Sequence, residues 1–162
     1  MVDYSLFMKQ ALEIARHARG EVPVGALILN QQYVVVATAL NTRERDLDIS
    51  GHAEINAIRY LMRGETQRNL SGLTLVTTLE PCPMCAFAIR ESRVSRVVFG
   101  SSDPLYGAAG SRYDILRDAR LGPTVEVVGG ILEDESARLI KEYFLSLRMN
   151  ESKTIRSTST YG

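Results

Sequence analysis

The chain contains three side chains of the kinds that bind zinc. One metal ion bound by all three would bring distant segments of the chain together. Cys82 and Cys85 are separated by two residues, and His52 lies in a separate upstream segment. Zinc prefers thiolate and imidazole ligands, and a catalytic zinc site has three protein ligands with a fourth position open to water. Residues three apart share one helix face, and the first turn of a helix favours thiolates because the helix dipole is positive there. The pattern therefore predicts two helix starts that meet at one metal ion.

Glu54, two residues after His52, is the natural candidate for proton transfer. On a helix these two residues would lie about 200° apart, so they are not expected to bind one ion side by side. Two thiolates cancel the charge of a zinc ion, so the water at its open position is acidified less than at an all-imidazole site. A general base is then needed, and we predict that Glu54 supplies it in a hydrolytic reaction.

Composition limits the class of protein and its partners. A chain of 162 residues is expected to form one domain, and both cysteines fall in one motif, which excludes a disulfide framework. The formal net charge is zero, which argues against strong non-specific attraction to nucleic acid but leaves room for a local basic patch. No apolar run is long enough to cross a bilayer and the first residues lack a secretory pattern, so we expect a cytoplasmic protein.

The order of predicted elements indicates the fold class. Hydrophobic periodicity predicts helices over residues 2–19, 52–63, 83–92 and 133–148, and strands over 22–29, 33–40, 73–79, 96–99 and 125–128. A helical turn is also expected near residues 113–119. After an opening hairpin the strands and helices alternate, which predicts an α/β fold: a three-layer α/β/α sandwich with a central five-stranded mixed sheet. Residues 1–149 are expected to form the domain, and the Ser- and Thr-rich segment 150–162 to form a disordered tail.

With these residues identified, the chain resembles the cytidine deaminase-like superfamily, and most closely its bacterial tRNA-specific adenosine deaminases. His-x-Glu followed by Pro-Cys-x-x-Cys is the known signature of zinc nucleobase deaminases. Further similarity lies in the runs 21–26, 96–100 and 107–111, and the resemblance extends from the first helix to about Arg148. It implies one zinc ion per subunit, a homodimer whose RNA sites draw on both subunits, and conversion of adenosine to inosine at the wobble position of a tRNA anticodon.

The resemblance also implies which residues contact the substrate. Asn41 would hydrogen-bond the target base. Three apolar residues would line the pocket around that base: Val22, Ala53 and Leu79. Residues of a later loop and of the closing helix would approach the RNA: Asp103, Tyr143, Phe144 and Arg148.

Departures from the family pattern keep alternative functions open. Leu105 and Tyr106 replace a Lys-Thr or similar pair, and a single Arg148 replaces paired arginines, which reduces the expected capacity to bind phosphate. Deaminases of free purine bases or nucleosides, guanine for example, share the same metal motif and are the first alternative. A zinc-bearing RNA-binding module without turnover is the second, and the presence of Glu54 argues against it.

Overall fold

The computed structural model describes residues 1–64 and 69–158. Its helices are α1 (Ser5–Arg16), α2 (Ala53–Gly64), α3 (Pro83–Glu91) and α4 (Glu133–Thr158). Its strands are β1 (Gly25–Leu29), β2 (Val35–Leu40), β3 (Thr74–Leu79), β4 (Arg96–Ser101) and β5 (Glu126–Val128). Among the described residues, none of the helices combines the length and the apolar character that a membrane crossing requires.

The five strands form one mixed sheet in the order β2-β1-β3-β4-β5. Strand β1 is antiparallel to both β2 and β3, whereas β3, β4 and β5 are parallel. Because β3 and β4 run the same way, the segments that leave their carboxyl ends lie at one edge of the sheet. That edge is where α3 begins and where the loop after β4 turns back.

Helices cover both faces of the sheet because apolar residues point alternately to each side. Leu27, Leu29, Val76 and Val98 share one buried cluster with α1 and with Leu139 of α4. The residues between them face the other way and pack with α2 and α3: Ala26, Ile28, Leu75 and Val97. The predicted three-layer α/β/α sandwich with a five-stranded mixed sheet is therefore confirmed.

A glycine lets α1 lie unusually close to the sheet. A Cβ atom on Gly25, the first residue of β1, would lie 2.2 Å from the carbonyl oxygen of Ala11 and 2.7 Å from the amide nitrogen of Ala15. Real Cβ atoms do not approach backbone atoms so closely, so any larger residue would push the helix away. The close contact fixes α1 over the start of β1.

One sequence prediction about an irregular segment is corrected. Helix α4 continues through Thr158, past the expected end at Arg148, so residues 150–158 are helical where a disordered tail was expected. No proline or glycine interrupts residues 133–158, and Ser and Thr disfavour a helix only weakly, so composition alone misjudged this segment. Within the range 113–119, where a helical turn was expected, residues 115–117 form a turn, and a short 3-10 segment follows at Ala119–Leu121. The end of the predicted tail, 159–162, lies outside the described residues.

Candidate metal centre and cavity

Two helix starts place the three candidate metal ligands together, as the sequence predicts. His52 lies immediately before α2, which begins at Ala53. Cys82 is the N-cap residue of α3, with extended backbone angles, and Cys85 lies in the first turn of that helix. Pro83 occupies the first helical position, where its fixed φ and missing N–H favour helix initiation. Both cysteines therefore lie at the positive end of α3.

The separations of the ligand atoms fit a tetrahedral zinc ion. His52 Nδ1 lies 3.6 Å from Cys82 Sγ and 3.4 Å from Cys85 Sγ. With Zn–N near 2.05 Å and Zn–S near 2.3 Å, tetrahedral geometry separates nitrogen from sulfur by about 3.6 Å. Among the His, Cys, Asp and Glu side chains of the described residues, these three have ligand atoms that converge closely enough to hold an ion. The donor set and its spacing both match zinc.

Without a metal, the ligand side chains share protons among themselves. Hydrogen bonds from Cys85 and His52 hold the pKa of Cys82 well below its usual value. The hydrogen bond that Cys85 gives to Cys82, together with burial, raises the pKa of Cys85. The hydrogen bond with Cys82 also raises the pKa of His52. The cluster thus already favours one thiolate, the form that binds a metal.

Glu54 lies in the first turn of α2 and is buried. Burial raises the pKa of its carboxyl to about 7, and the nearby Cys82 adds to the increase. Glu54 is not part of the converging ligand group, although its charge interacts with both cysteines and His52. The geometry thus offers a buried carboxylate beside three metal ligands, a group of the kind that acts as general acid and base.

The raised pKa of Glu54 predicts a pH-dependent effect on the stability of the metal-free protein. The folded state binds this proton more tightly than the unfolded chain, whose pKa is near 4.5. Stability from this carboxyl is therefore present below pH 4.5 and lost as the pH rises through about 7. We expect metal-free Glu54→Gln to be more stable than metal-free wild type at pH 8, by up to about 3 kcal/mol. Urea unfolding with reductant and chelator, repeated at pH 4.5 and 8, measures the difference; an equal difference at both values would contradict the prediction.

A cavity of about 380 Å³ opens over these residues, and most of the predicted substrate contacts line it. The lining includes His52, Glu54 and Cys82. It also includes six residues that the resemblance implied: Val22, Asn41, Ala53, Leu79, Asp103 and Tyr143. The ring of Tyr143 comes from α4, so the closing helix contributes to the cavity wall.

Phe144 and Arg148 do not line this cavity among the described residues. Successive helix residues point about 100° apart, so Tyr143 and Phe144 cannot face the same space. Phe144 is exposed, and its ring lies edge-on to that of Tyr143 at 5.3 Å between centroids. Arg148 is also exposed on α4, with Nε 3.5 Å from the carbonyl oxygen of Phe144. Contact of either residue with RNA remains a prediction.

Asn41 joins two walls of the cavity. Its Nδ2 donates to the carbonyl oxygen of Val22 at 3.1 Å, and its Oδ1 accepts from the backbone N–H of Arg43 at 3.2 Å. The side chain is buried, so these bonds fix its orientation. The segment before β1 and the loop after β2 are therefore held together at this point.

Two buried carboxylates were not predicted from the sequence. Glu21 accepts from the backbone N–H groups of Glu44 and Arg45 at 3.0 and 2.7 Å, and so holds the loop after β2. Glu80 binds the loop after β4 in a similar way. Both carboxylates line the cavity and are almost fully buried. The sequence indicated these two roles only weakly. Each is an acidic residue near a proline at the end of a strand, and no basic side chain could be identified as its partner.

Comparison with known proteins supports a specific family. The model of the cytidine and deoxycytidylate deaminase zinc-binding region matches residues 1–101. The tRNA-specific adenosine deaminase of Bacillus subtilis is 38% identical, over 98% of this chain and 99% of that protein. A solved structure from a study of A-to-I editing by tRNA:A34 deaminases at the wobble position of transfer RNA is 37% identical, with a TM-score of 0.79 over 83% of this chain and 99% of that one. The guanine deaminase from Nitrosomonas europaea shares the fold, with a TM-score of 0.75 and 22% identity over 88% of this chain and 85% of that one.

Proposed function

The chain belongs to the cytidine and deoxycytidylate deaminase zinc-binding family, and from this premise we propose that it converts adenosine to inosine at the wobble position of a tRNA anticodon. The reaction is a zinc-dependent hydrolytic deamination that releases ammonia. The observation that carries the proposal is the arrangement of His52, Cys82 and Cys85 at tetrahedral separations, with buried Glu54 beside them at one cavity.

The residues of the chain have separate tasks in this reaction. A zinc ion held by His52, Cys82 and Cys85 would activate a water molecule at its fourth position. Glu54 accepts one proton as the water oxygen bonds to C6 of the adenine and passes it to the ring nitrogen N1. It then accepts the remaining proton of the new C6 hydroxyl group and passes it to the departing amine. The C6–N bond then breaks, and inosine and ammonia are the products. Burial raises the pKa of the Glu54 carboxyl in the metal-free protein, and one positioned carboxyl can act both as general base and as general acid.

The cavity walls suit a flat base. Val22, Ala53 and Leu79 provide apolar surface, and buried Asn41 places a fixed amide beside it. In the proposed complex, Asn41 contacts the target base while Asp103 and Tyr143 lie towards the rest of the RNA. An isolated adenosine would make only the contacts inside the cavity, so we expect it to be a much poorer substrate than an anticodon stem-loop.

Product analysis tests the substrate directly. Purified protein is incubated separately with an anticodon stem-loop carrying adenosine at the wobble position, the same stem-loop with that adenosine shifted by one nucleotide, free adenosine and free guanine. We expect inosine and ammonia from the first RNA only. Ammonia from guanine and none from the RNA would favour the free-base alternative, and no ammonia from any substrate would favour a binding module without turnover.

The same proposal includes a homodimer in the cytoplasm, where tRNA is found. Exposed apolar side chains on α2, α3 and the loop before α2 support self-association: Leu47, Ile49, Tyr60, Met84 and Phe87. Exposed apolar side chains that lie together commonly mark a protein–protein interface, and in the proposed dimer these five side chains lie at the contact between the two copies. Sedimentation equilibrium is expected to give twice the chain mass, and a monomer at micromolar concentration would contradict this part of the proposal.

A further inference from the structure

The Glu80 carboxylate makes an unusually complete set of hydrogen bonds to one loop. Oε2 accepts from the backbone N–H of Asp103 at 2.9 Å and from the hydroxyl of Ser111. Oε1 accepts from the backbone N–H groups of Ala109 and Ser111 at 2.9 and 3.0 Å. Glu80 is 2% exposed, so water does not compete for these bonds. A single buried side chain therefore fixes both ends of the segment 103–111.

That segment forms one wall of the cavity. Asp103 and Tyr106 both line the cavity, as does Asn41. Oδ1 of Asp103 accepts from the N–H groups of Leu105 and Tyr106 at 2.9 and 3.1 Å, so the turn between the two lining residues is itself fixed. The position of Tyr106, whose side chain is largely exposed, thus depends through Asp103 on Glu80.

The loop also packs directly against the carboxylate. A Cβ atom on Gly107 would lie 2.3 Å from Oε2 of Glu80 and 2.4 Å from the carbonyl oxygen of Asp103. An alanine at this position would therefore move the loop or the carboxylate. Substitution of Gly107 therefore disturbs the contact between the loop and the carboxylate without changing the chemical identity of residue 80.

We propose that Glu80 is a positioning residue for substrate binding: by holding the backbone of 103–111, it sets the cavity wall formed by Asp103 and Tyr106. This inference rests on the proposed function for its substrate. Glu80 is not assigned a proton-transfer role, because its carboxylate oxygens are occupied by the loop. Its loss is expected to raise KM while the metal ligands and Glu54 remain in place.

Glu80→Gln tests the inference, with Glu91→Gln as control because Glu91 is an exposed residue at the end of α3. The glutamine amide keeps only one acceptor oxygen, so hydrogen bonds to one end of the loop are lost. We expect KM for the anticodon stem-loop to rise by about 10- to 100-fold, as small misplacements of binding groups commonly do. Zinc content is expected to stay at one ion per chain and kcat within about threefold of wild type. Gly107→Ala is expected to show the same split between KM and kcat.

Amide hydrogen exchange provides a readout that needs no substrate. Faster exchange confined to residues 103–111 is expected in Glu80→Gln and absent in Glu91→Gln. Unchanged exchange in this segment would overturn the inference whatever the substrate proves to be. If Glu80→Gln and Gly107→Ala deaminate the stem-loop with the KM of wild type, the inference fails while the proposed function stands. If wild type produces no inosine, the proposed function is wrong, and the exchange measurement alone then tests the role of Glu80 in holding the loop.

Discussion

Glu54→Gln is expected to keep one zinc ion per chain and to lose at least about a thousandfold in kcat. General acid–base catalysis by one positioned side chain commonly contributes about 10²- to 10⁴-fold. Here the same carboxyl is assigned both the removal of a proton from water and the delivery of protons to the base, so the loss should lie in the upper part of that range. Glutamine has nearly the same shape, and Glu54 lies outside the converging ligand group, so metal binding should be unaffected.

Single-turnover rates of inosine formation and metal analysis of the same preparations test this prediction. Glu91→Gln again serves as the control because it removes an exposed carboxylate from α3 and should leave both quantities unchanged. A zinc-free Glu54→Gln protein would mean that the carboxylate is a ligand. Full activity in this variant would mean that another group transfers the protons.

Cys82→Ala is expected to lose both zinc and activity. Two remaining protein ligands cannot hold the ion at neutral pH, since structural and catalytic sites require three or four. We expect less than about a tenth of an equivalent of zinc and no inosine above the uncatalysed background. Cys82 is the better choice of the two cysteines, because Cys85 is fully buried and its truncation would also leave a cavity in the core.

Thermal unfolding with and without chelator separates metal loss from misfolding. A ligand that binds only the folded state stabilises it, so removal of zinc should lower the Tm of wild type. The Tm of Cys82→Ala should not respond to chelator and should lie near that of metal-free wild type. If Cys82→Ala retained stoichiometric zinc, the assignment of Cys82 as a ligand would be wrong.

The metal centre was predictable from the sequence because its chemistry is local. Cys82, Cys85 and Pro83 specify the start of α3 within a few residues, and His52 and Glu54 fall together at the start of α2. The weak apolar alternation of the segment 73–79, which became β3, likewise predicted a strand covered on both faces. Each of these predictions depends on short-range periodicity or on ligand type.

The roles of Glu21 and Glu80 were not predictable in that way. Glu80 binds backbone N–H groups 23 to 31 residues away, and a backbone group carries no side-chain signature in the sequence. Phe144 presents a related difficulty: whether it or Tyr143 faces the cavity depends on the rotation of α4 against the sheet. Only the packed structure determines that rotation.

Zinc K-edge X-ray absorption of the purified protein, compared with that of Glu54→Gln, tests the central claim most directly. We predict two sulfur neighbours at about 2.3 Å, one imidazole nitrogen at about 2.0–2.1 Å and one light atom completing four-coordination. The Glu54→Gln spectrum should show the same four neighbours, because the light atom belongs to water. A third sulfur or second imidazole, loss of the light neighbour in Glu54→Gln, or the absence of stoichiometric zinc would contradict a site with three protein ligands, a water and a separate carboxylate.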